Sequence, residues 1–457
     1  HPRCIGGFLW VLADEGVKRV DMDGFIDNQG NFGADGIVGP HHEKEGSYYT
    51  IKQLWSPVQV MNTAIDRNFD GKLSVENRYD YLNLNTCRFI WQQVKFPSVT
   101  DASNTTTRIL KQGEVQGSDV AAHGVGVVDI KTSILPEADA LFLTVIDKYG
   151  YELWRWTFPV DKLNRETEQF SASSGRASYT ETEKGITVKA NGRTFVFSKK
   201  DGQLKDVSVN NRKISFANGP RFIGARRADR SLDQFYNHDD EKAKAKDRTY
   251  SEFTDAAVFT KLDVKEEGGN LILTANYKLG NLDKAQWTIH PDGMATLDYT
   301  YNFSGVVDLM GICFDYPEEQ VLSKRWLGAG PYRVWQNRIH GTQYDIWEND
   351  YNDPIPGETF TYPEFKGYFG SVSWMSIRTK EGTISLTNET PDSYIGVYQP
   401  RDGRDRLLYT LPESGISVLN VIPPVRNKVN STDLCGPSSQ PKWVDGSQTG
   451  RLVIRFE

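Results

Sequence analysis

Trp10 is the first side chain in the sequence whose position favours ligand chemistry. It lies near the end of a short apolar run, residues 8–13, that stops at the acidic pair Asp14 and Glu15. Such a run predicts a short strand covered on both faces, and ligands collect at the carboxyl ends of parallel strands. An indole ring there would stack on the face of a sugar, although large aromatic rings also fill cores. The run alone leaves both interpretations open.

A polar, glycine-rich loop over residues 21–39 follows and carries two further candidates, Phe32 and Asp35. They stand three residues apart in the stretch NFGADGIV, flanked by glycines. The plain alternative is a turn, because Asp35 followed by glycine is a favourable turn pair. The stretch SYYTIKQLWSPV then occupies residues 47–58. These pieces in this order are far more specific than any one of them.

The ordered pieces resemble glycoside hydrolase family 2, the β-galactosidase family, at the place where its catalytic barrel ends. GGFLW resembles the eighth barrel strand, NFGADGIV the loop that closes over the sugar, and SYYTIKQLWSPV the last barrel helix and exit. Residues 71–96 resemble the immunoglobulin-like domain that follows the barrel. RWLGAGPY, residues 325–332, resembles a signature of the large terminal β-sandwich. The matches cover nearly the whole chain.

The resemblance implies a mainly β fold with successive domains. Residues 1–55 would be the last strand, loop and helix of a (β/α)8 barrel, and 56–165 an immunoglobulin-like β-sandwich. Residues 166–180 are polar and serine-rich, which is typical of a linker. Residues 181–457 would be a large galactose-mutarotase-like β-sandwich. Because the first strand has no preceding strands to pair with, we expect a fragment or one product of a longer chain.

The function implied is that of the carboxyl-terminal portion of a retaining, exo-acting β-glycosidase acting on oligo- or polysaccharides. Retention requires two carboxylates about 5 to 5.5 Å apart, and in the family both come from the fourth and seventh barrel strands. Neither strand is present here, so no catalytic residue is assigned and Asp14 and Glu15 are interpreted as structural. The missing amino-terminal part of the barrel would be the partner, and the chain alone is expected to be inactive.

The substrate-binding residues implied by the resemblance are Trp10 as a sugar platform, Phe32 and Asp35 as loop contacts, and Trp443 at the rim. Phe32 and Asp35 match positions that sometimes surround a sodium ion. No cofactor is required within this chain, but magnesium in the missing barrel and a homo-oligomer are compatible with the family. Two segments depart from the family pattern, 224–240 and 362–368. They put galactose specificity in question, and no residue is transferred from them.

Composition narrows the function classes. The net charge of −7 and a pI of about 5.7 argue against a nucleic-acid partner, since phosphate binding needs a basic face. The basic residues Arg226, Arg227 and Arg230, followed by Asp239 and Asp240, are interpreted as solvated surface charge. No apolar run is long enough for a transmembrane helix. We expect a periplasmic or secreted protein and no membrane partner, and a cytoplasmic one stays open.

Short β-rich runs separated by turn residues make up most of the sequence. The clearest turns are Asn191-Gly192, a type I′ hairpin signal, and the triplet at 291–293. The predicted strands are 56–60, 73–76, 89–96, 140–147, 186–190, 194–197, 204–209, 271–277, 285–290 and 295–303. No long helix is expected after residue 180. The four cysteines, Cys4, Cys87, Cys313 and Cys435, lie far apart and are expected to be free thiols.

Other functions have weaker support from the sequence. The stretch 66–71 opens like a calcium loop, but its twelfth position is Asn77 with Glu76 one place early, so a hairpin turn at Asp70-Gly71 is the better explanation. A non-catalytic carbohydrate-binding or scaffolding protein is the main alternative to a glycosidase. An epimerase would need a histidine and a glutamate facing one sugar, and His290 and His340 show no glutamate at a telling spacing.

Overall fold

The computed structural model describes residues 7–27, 33, 36–99, 106–160, 175–227, 250–253, 256–350, 367–397, 411–424 and 436–457. Strands dominate these residues, as predicted for a mainly β fold. In the same part of the chain, no helix is both long and apolar enough to cross a bilayer.

The amino-terminal segment contains a small antiparallel hairpin and a short helix. The hairpin pairs β1 (Val17–Arg19) with β2 (Phe25–Asp27), and the helix is α1 (Gly46–Leu54). Residues 8–12 form no regular strand, and their neighbour Ala13 makes a single parallel bridge to Val38. A buried parallel strand needs partners on both sides, and the described residues provide none. The assignment of residues 1–55 to a barrel therefore stays a prediction.

The next unit is a sandwich of two small antiparallel sheets. Within the described residues the order β3-β4-β7 forms one sheet and β6-β5-β8-β9 the other. Alternate side chains such as Leu73, Phe89 and Trp154 fill the core between the sheets, because successive residues of a strand point to opposite faces. The strands are β3 (Val58–Val60), β4 (Lys72–Asn77), β5 (Arg88–Lys95), β6 (Arg108–Gln116), β7 (Val125–Asp129), β8 (Ala140–Ile146) and β9 (Glu152–Pro159). All four runs predicted here are confirmed as strands, whereas β6, β7 and β9 were not predicted.

Most of the remaining chain forms two large antiparallel sheets. The first contains β10 (Ser178–Glu181), β11 (Gly185–Ala190), β12 (Arg193–Ser198), β13 (Leu204–Val209), β14 (Arg212–Ile214), β15 (Ala217–Arg227), β16 (Tyr250–Glu252), β21 (Leu309–Asp315), β24 (Phe369–Gly370), β27 (Tyr394–Gly396) and β28 (Ile416–Val421). The second contains β17 (Val258–Glu267), β18 (Asn270–Lys278), β19 (Leu282–Ile289), β20 (Ala295–Val307), β22 (Val321–Gly330), β23 (Gln343–Asp350), β25 (Trp374–Thr379), β26 (Gly382–Asn388) and β29 (Lys442–Phe456). One hydrophobic core joins the two sheets, as the edge-on packing of Phe197, Trp287 and Phe314 illustrates.

The turns between these strands follow the predicted chemistry. Asn191 and Gly192 join β11 to β12, and both have positive φ, 43° and 75°, as a type I′ turn requires. Gly293 closes the turn between β19 and β20 at a φ of 86°. There the Asp292 carboxylate accepts a hydrogen bond from the Met294 amide at 3.0 Å. The dipeptide and triplet signals therefore located both hairpins correctly.

The small sandwich contacts the large one through β9 and β23. Arg155 on β9 donates hydrogen bonds to Gln343 at 2.7 Å and to Asp345 at 3.0 Å on β23. Its guanidinium also lies over the Phe142 ring, 4.7 Å from the centroid. An arginine that is both stacked and ion-paired fixes geometry better than a lone surface pair, so this contact orients the two units.

Several predictions lie wholly or partly outside the described residues. These are Phe32, Asp35, Arg230, Asp239, Asp240, Cys4, Cys435 and residues 161–174 of the linker region. Of the cysteines that the structure describes, Cys87 and Cys313 are buried free thiols, as expected. The domain boundaries themselves stay predictions.

Candidate functional site

Trp10 presents its ring to solvent. Its side chain is 78% exposed, and Phe8, Leu9 and Leu12 beside it are exposed as well. Tryptophan is highly buried on average, so an exposed indole in an apolar run marks a surface that something else covers. A flat apolar ring with a polar N–H suits the face of a sugar or of another protein segment.

Backbone hydrogen bonds hold the segment after Trp10 against the loop that carries Phe32 and Asp35. The amides of Ile37 and Val38 both donate to the Leu12 carbonyl at 3.1 Å. In the other direction, Asp14 N–H donates to Val38 at 2.9 Å, and Glu15 N–H donates to Gly33 at 2.7 Å. Gly33, which follows Phe32 in the sequence, and residues 37 and 38 are thus held against the segment after Trp10.

The Asp14 side chain makes a further hydrogen bond to this part of the chain, at Gly36. One carboxylate oxygen, Oδ1, accepts a hydrogen bond from the Gly36 amide at 2.8 Å, and the residue is only 7% exposed. A Cβ atom at position 36 would collide with the backbone of Ala13 and Asp14. Glycine is therefore required by this close approach of two backbones. The interpretation of Asp14 as structural agrees with this geometry.

Glu45 faces Asp14 from the residue that precedes α1. It is 8% exposed, and its side chain makes no capping hydrogen bond to the helix. Burial first, and then the negative charge of Asp14, raise the pKa of Glu45 to about 8. The positive charge of Arg338 opposes this rise. Glu45 therefore keeps its proton over most of the neutral pH range.

A loop of the large sandwich, residues 331–342, brings Arg338 to this place. Tyr332 donates to the Lys44 carbonyl at 3.0 Å, and its ring lies 5.1 Å from that of Tyr49. Gly341 N–H donates to Gln53 Oε1 at 2.6 Å. These contacts seat the 331–342 loop on α1 and on the residues just before it.

The same loop holds the chain that leads to Trp443. Gln336 Nε2 donates to the carbonyls of Ser438 and Gln440 at 3.0 and 2.7 Å, and Asn337 Nδ2 donates to Ser439 Oγ at 2.7 Å. Trp443 follows, 69% exposed. A continuous network thus connects the Trp10 segment, residues 36–38, the 331–342 loop and the stretch before Trp443.

The region that includes the 331–342 loop also carries a family signature. The model of the family described as "Beta galactosidase small chain" matches residues 189–418, just over half of the chain. The chain belongs to this β-galactosidase small-chain family. The predicted resemblance to the carboxyl-terminal part of β-galactosidases is confirmed.

Curated β-galactosidases align with more of the chain than the small-chain family model does. The β-galactosidase of Priestia megaterium (strain DSM 319 / IMG 1521) is 21% identical over 426 residues, which are 86% of this chain and 38% of that protein. The β-galactosidase of Staphylococcus xylosus is also 21% identical, over 86% of this chain and 40% of that protein. The chain therefore spans about two fifths of the length of these relatives.

Among solved structures, this small-chain family member is similar to galactose 1-epimerase from Lactobacillus acidophilus NCFM. The TM-score is 0.35 at 9% identity, over 62% of this chain and 99% of that one. His290, one of the two histidines considered for epimerase chemistry, is buried and pairs with Thr296 Oγ1 at 2.9 Å. That contact makes His290 part of the sandwich core.

The prediction of solvated surface charge is wrong for Arg227, which is buried, and Arg226 is only partly exposed. Both lie at the end of β15, and Arg227 is only 2% exposed. The fully buried Asp308 carboxylate accepts from Arg226 Nη1 at 3.0 Å and from Arg227 N–H at 2.8 Å, while Arg227 Nη1 donates to Pro424 at 2.7 Å. The buried Asp308 carboxylate therefore has two donors, the Arg227 backbone and the partly exposed Arg226 guanidinium.

Sequence reasoning missed Glu45, Arg338 and Tyr332. Glu45 directly precedes an amphipathic stretch, which is the place of a helix cap, and this was the available signal. Arg338 lies in an aromatic-rich stretch that gives no indication of a buried charge. Within the described residues no group of three or more His, Cys, Asp or Glu side chains is arranged to hold a metal ion. The sodium site at Phe32 and Asp35 stays a prediction, because both residues lie outside the described part.

The composition of residues 435–443 predicts a loop around Trp443, but this residue belongs to a strand. It is the second residue of β29 and lies opposite Val306 on β20. Its exposure is compatible with a place at the rim of the active site, because a tryptophan buried inside its own sandwich could not reach a sugar.

We expect Trp443→Ala, in the protein that carries the complete barrel, to raise KM for an aryl β-galactoside about fivefold, through loss of about 1 kcal/mol of aromatic contact. Steady-state kinetics measures this, and Tyr149→Ala, which removes another exposed ring (69%) from a hairpin of the small sandwich, should leave KM unchanged.

Proposed function

We propose that the chain is the carboxyl-terminal portion of a retaining, exo-acting β-glycosidase of glycoside hydrolase family 2. It lines the substrate pocket with Trp10, Phe32, Asp35 and Trp443, and the catalytic carboxylates lie on the barrel strands that precede it. Membership of the β-galactosidase small-chain family supports the proposal, as do the curated β-galactosidases that match 86% of the chain. The substrate is a glycan with a terminal sugar that enters the pocket.

The single observation that carries this proposal is the exposed Trp10 ring beside an anchored loop. A binding platform must be solvent-accessible before the sugar arrives and must not move when it does. The 78% exposure of Trp10 meets the first condition. The backbone hydrogen bonds from residues 12–15 to Gly33, Ile37 and Val38 support the second, because they anchor the chain on both sides of Asp35 in the sequence.

The acids near Trp10 are unsuited to direct catalysis. Asp14 is buried and accepts a hydrogen bond from the Gly36 amide, so its carboxylate is already engaged. Glu45 is buried behind Asp14 and next to Arg338. Retaining hydrolysis needs a nucleophile and an acid/base that both reach the anomeric centre. This arrangement supports placing the pair on other strands, with the present residues orienting the sugar.

Asp35 offers the sharpest test of the loop contacts. In the protein that carries the complete barrel, we expect Asp35→Ala to raise KM or lower kcat by more than tenfold, because a side-chain oxygen near the sugar is lost. Asp70→Ala is the matched control, since Asp70 also precedes a glycine in a turn, where it accepts from Lys72 N–H at 3.0 Å. Steady-state kinetics on an aryl β-galactoside measures KM and kcat. If both constants are unchanged in Asp35→Ala, Asp35 does not contact the sugar.

The reaction itself is tested with the same protein and substrate. Release of the aryl group with retention of the anomeric configuration, followed by NMR of the first sugar product, supports a retaining exo-glycosidase. No hydrolysis by the complete protein, together with tight binding of glycans by residues 1–457 alone, would instead favour a non-catalytic carbohydrate-binding protein.

A further inference from the structure

Two buried acids from different segments meet behind the Trp10 segment. Asp14 and Glu45 are 7% and 8% exposed, and Glu45 Oε1 has no hydrogen-bond partner in the described part of the chain. Moving carboxylates out of water is costly unless other charges and donors compensate. The Gly36 amide compensates the Asp14 carboxylate by donating to Oδ1 at 2.8 Å, and burial together with the charge of Asp14 raises the pKa of Glu45 to about 8.

The 36–38 stretch lies between the two segments that carry these acids. On one side Asp14 binds it through the Gly36 amide and the Val38 carbonyl. On the other side Val38 is bridged to Lys44, the residue before Glu45, and Gly39 N–H donates to Glu43 at 2.8 Å. Asp14 on one side and Lys44 on the other thus hold the 36–38 stretch, which directly follows Asp35 in the sequence.

We propose that Asp14 is a positioning residue: its carboxylate, which accepts from the Gly36 amide, fixes the 36–38 stretch that directly follows Asp35 in the sequence. The large sandwich supports this stretch from the other side, because Tyr332 donates to the carbonyl of Lys44, and Lys44 is bridged to Val38. The role of the loop in sugar binding rests on the proposed function. The mechanical link itself rests only on the described contacts.

The expected effect on KM and kcat depends on the fraction of molecules whose loop is in the binding geometry. If the loop is in its binding geometry for only a fraction of the time, apparent affinity falls by that fraction, and a bound sugar restores the geometry. Loss of the Asp14 tie should therefore raise KM at least tenfold and change kcat less than threefold. General destabilisation would act differently, because fewer folded molecules lower apparent kcat at constant KM.

The test combines kinetics with hydrogen–deuterium exchange of the complete protein. Asp14→Ala should accelerate exchange of the amides of residues 36–38 at least tenfold, because their donors and neighbours lose their anchor. Asp14→Asn keeps an acceptor oxygen for Gly36 and should restore most of the protection. Asp139→Asn is the control, since Asp139 is also a buried acid that accepts a backbone N–H, from Phe96 at 2.7 Å, in the small sandwich. It should alter neither KM nor exchange at 36–38.

A pH series separates the pair from a single acid. The groups that face Glu45 are Asp14 from the Trp10 segment, Arg338 from the 331–342 loop and Glu43 from its own segment. Above a pH of about 8, where Glu45 loses its proton, two carboxylates repel and exchange at 36–38 should rise beyond its intrinsic pH dependence. Glu45→Gln mimics the protonated acid, so it should behave like the wild type at pH 7 and lose this alkaline rise.

The outcomes are distinct for each claim. Unchanged exchange at 36–38 in Asp14→Ala overturns the positioning role, and so does a fall in kcat at constant KM. If the wild-type complete protein hydrolyses no galactoside, the proposed function fails, and the exchange measurements still decide whether Asp14 holds the loop.

Discussion

Residues 1–457 alone are expected to hydrolyse no aryl β-galactoside, and hydrolysis is expected to return when the preceding part of the barrel is added. The physical reason is twofold. The catalytic carboxylates are proposed to lie on barrel strands outside residues 1–457, and residues 8–12 form no regular strand in the described part of the chain. The measurement is release of nitrophenol by the chain alone, by the upstream part alone and by their mixture, and the expected change is from background to full turnover.

The driving force for this assembly is visible in the exposed apolar side chains near the start of the chain. Phe8 is fully exposed, and Leu9, Leu12 and Val20 are at least half exposed. Burying each large apolar side chain contributes roughly 1.5 to 3 kcal/mol, so the upstream part should bind this surface tightly. Patches of this kind mark interfaces rather than free surfaces.

A matched pair of variants localises the association. Leu12→Asp places a charge in the exposed apolar run and should abolish the recovery of hydrolysis, whereas Val125→Asp, at a similarly exposed residue of β7 (71%), should not. Robust hydrolysis by residues 1–457 alone would overturn the assignment, because the catalytic pair would then have to include acids interpreted here as structural.

Local signals in the sequence located much of the fold. Asn191-Gly192 predicted a hairpin because both residues tolerate positive φ, and the turn has that geometry. The short strands β14 and β24 were not predicted. They contain three and two residues, which is too few to show the alternation of a strand. Their pairing is set by neighbours in the sheet.

The candidate site was only partly predictable, for a physical reason. Trp10 and its loop lie within one short stretch, so residue types and spacing pointed to them. Glu45 and Arg338 are almost three hundred residues apart, and only folding brings their charges together. Arg226 and Arg227 show the same limit, since a run of arginines indicates surface charge until a distant acid, Asp308, proves to be buried beside it.

Asp308→Ala is expected to destabilise the large sandwich by about 3 to 5 kcal/mol, the cost of removing one partner from a buried charge pair. Asp308 is completely buried and connects β15 to the start of β21, where it accepts from Arg226 and from the Arg227 amide. Removing the carboxylate takes the acceptor from both donors and leaves arginine charge beneath the surface. Urea unfolding followed by the fluorescence of the buried Trp287 and Trp326 measures the loss.

Two further variants separate the charge from the packing. Asp308→Asn keeps an acceptor oxygen of similar shape and should recover part of the stability, because the Arg227 amide retains a partner. Asp263→Ala removes an acid from an exposed pair with Lys261, and such pairs contribute little because water and salt screen them. If Asp308→Ala shifts the urea midpoint no more than Asp263→Ala does, contacts other than those with Asp308 hold Arg226 and Arg227 in place, and the pairing contributes little to stability.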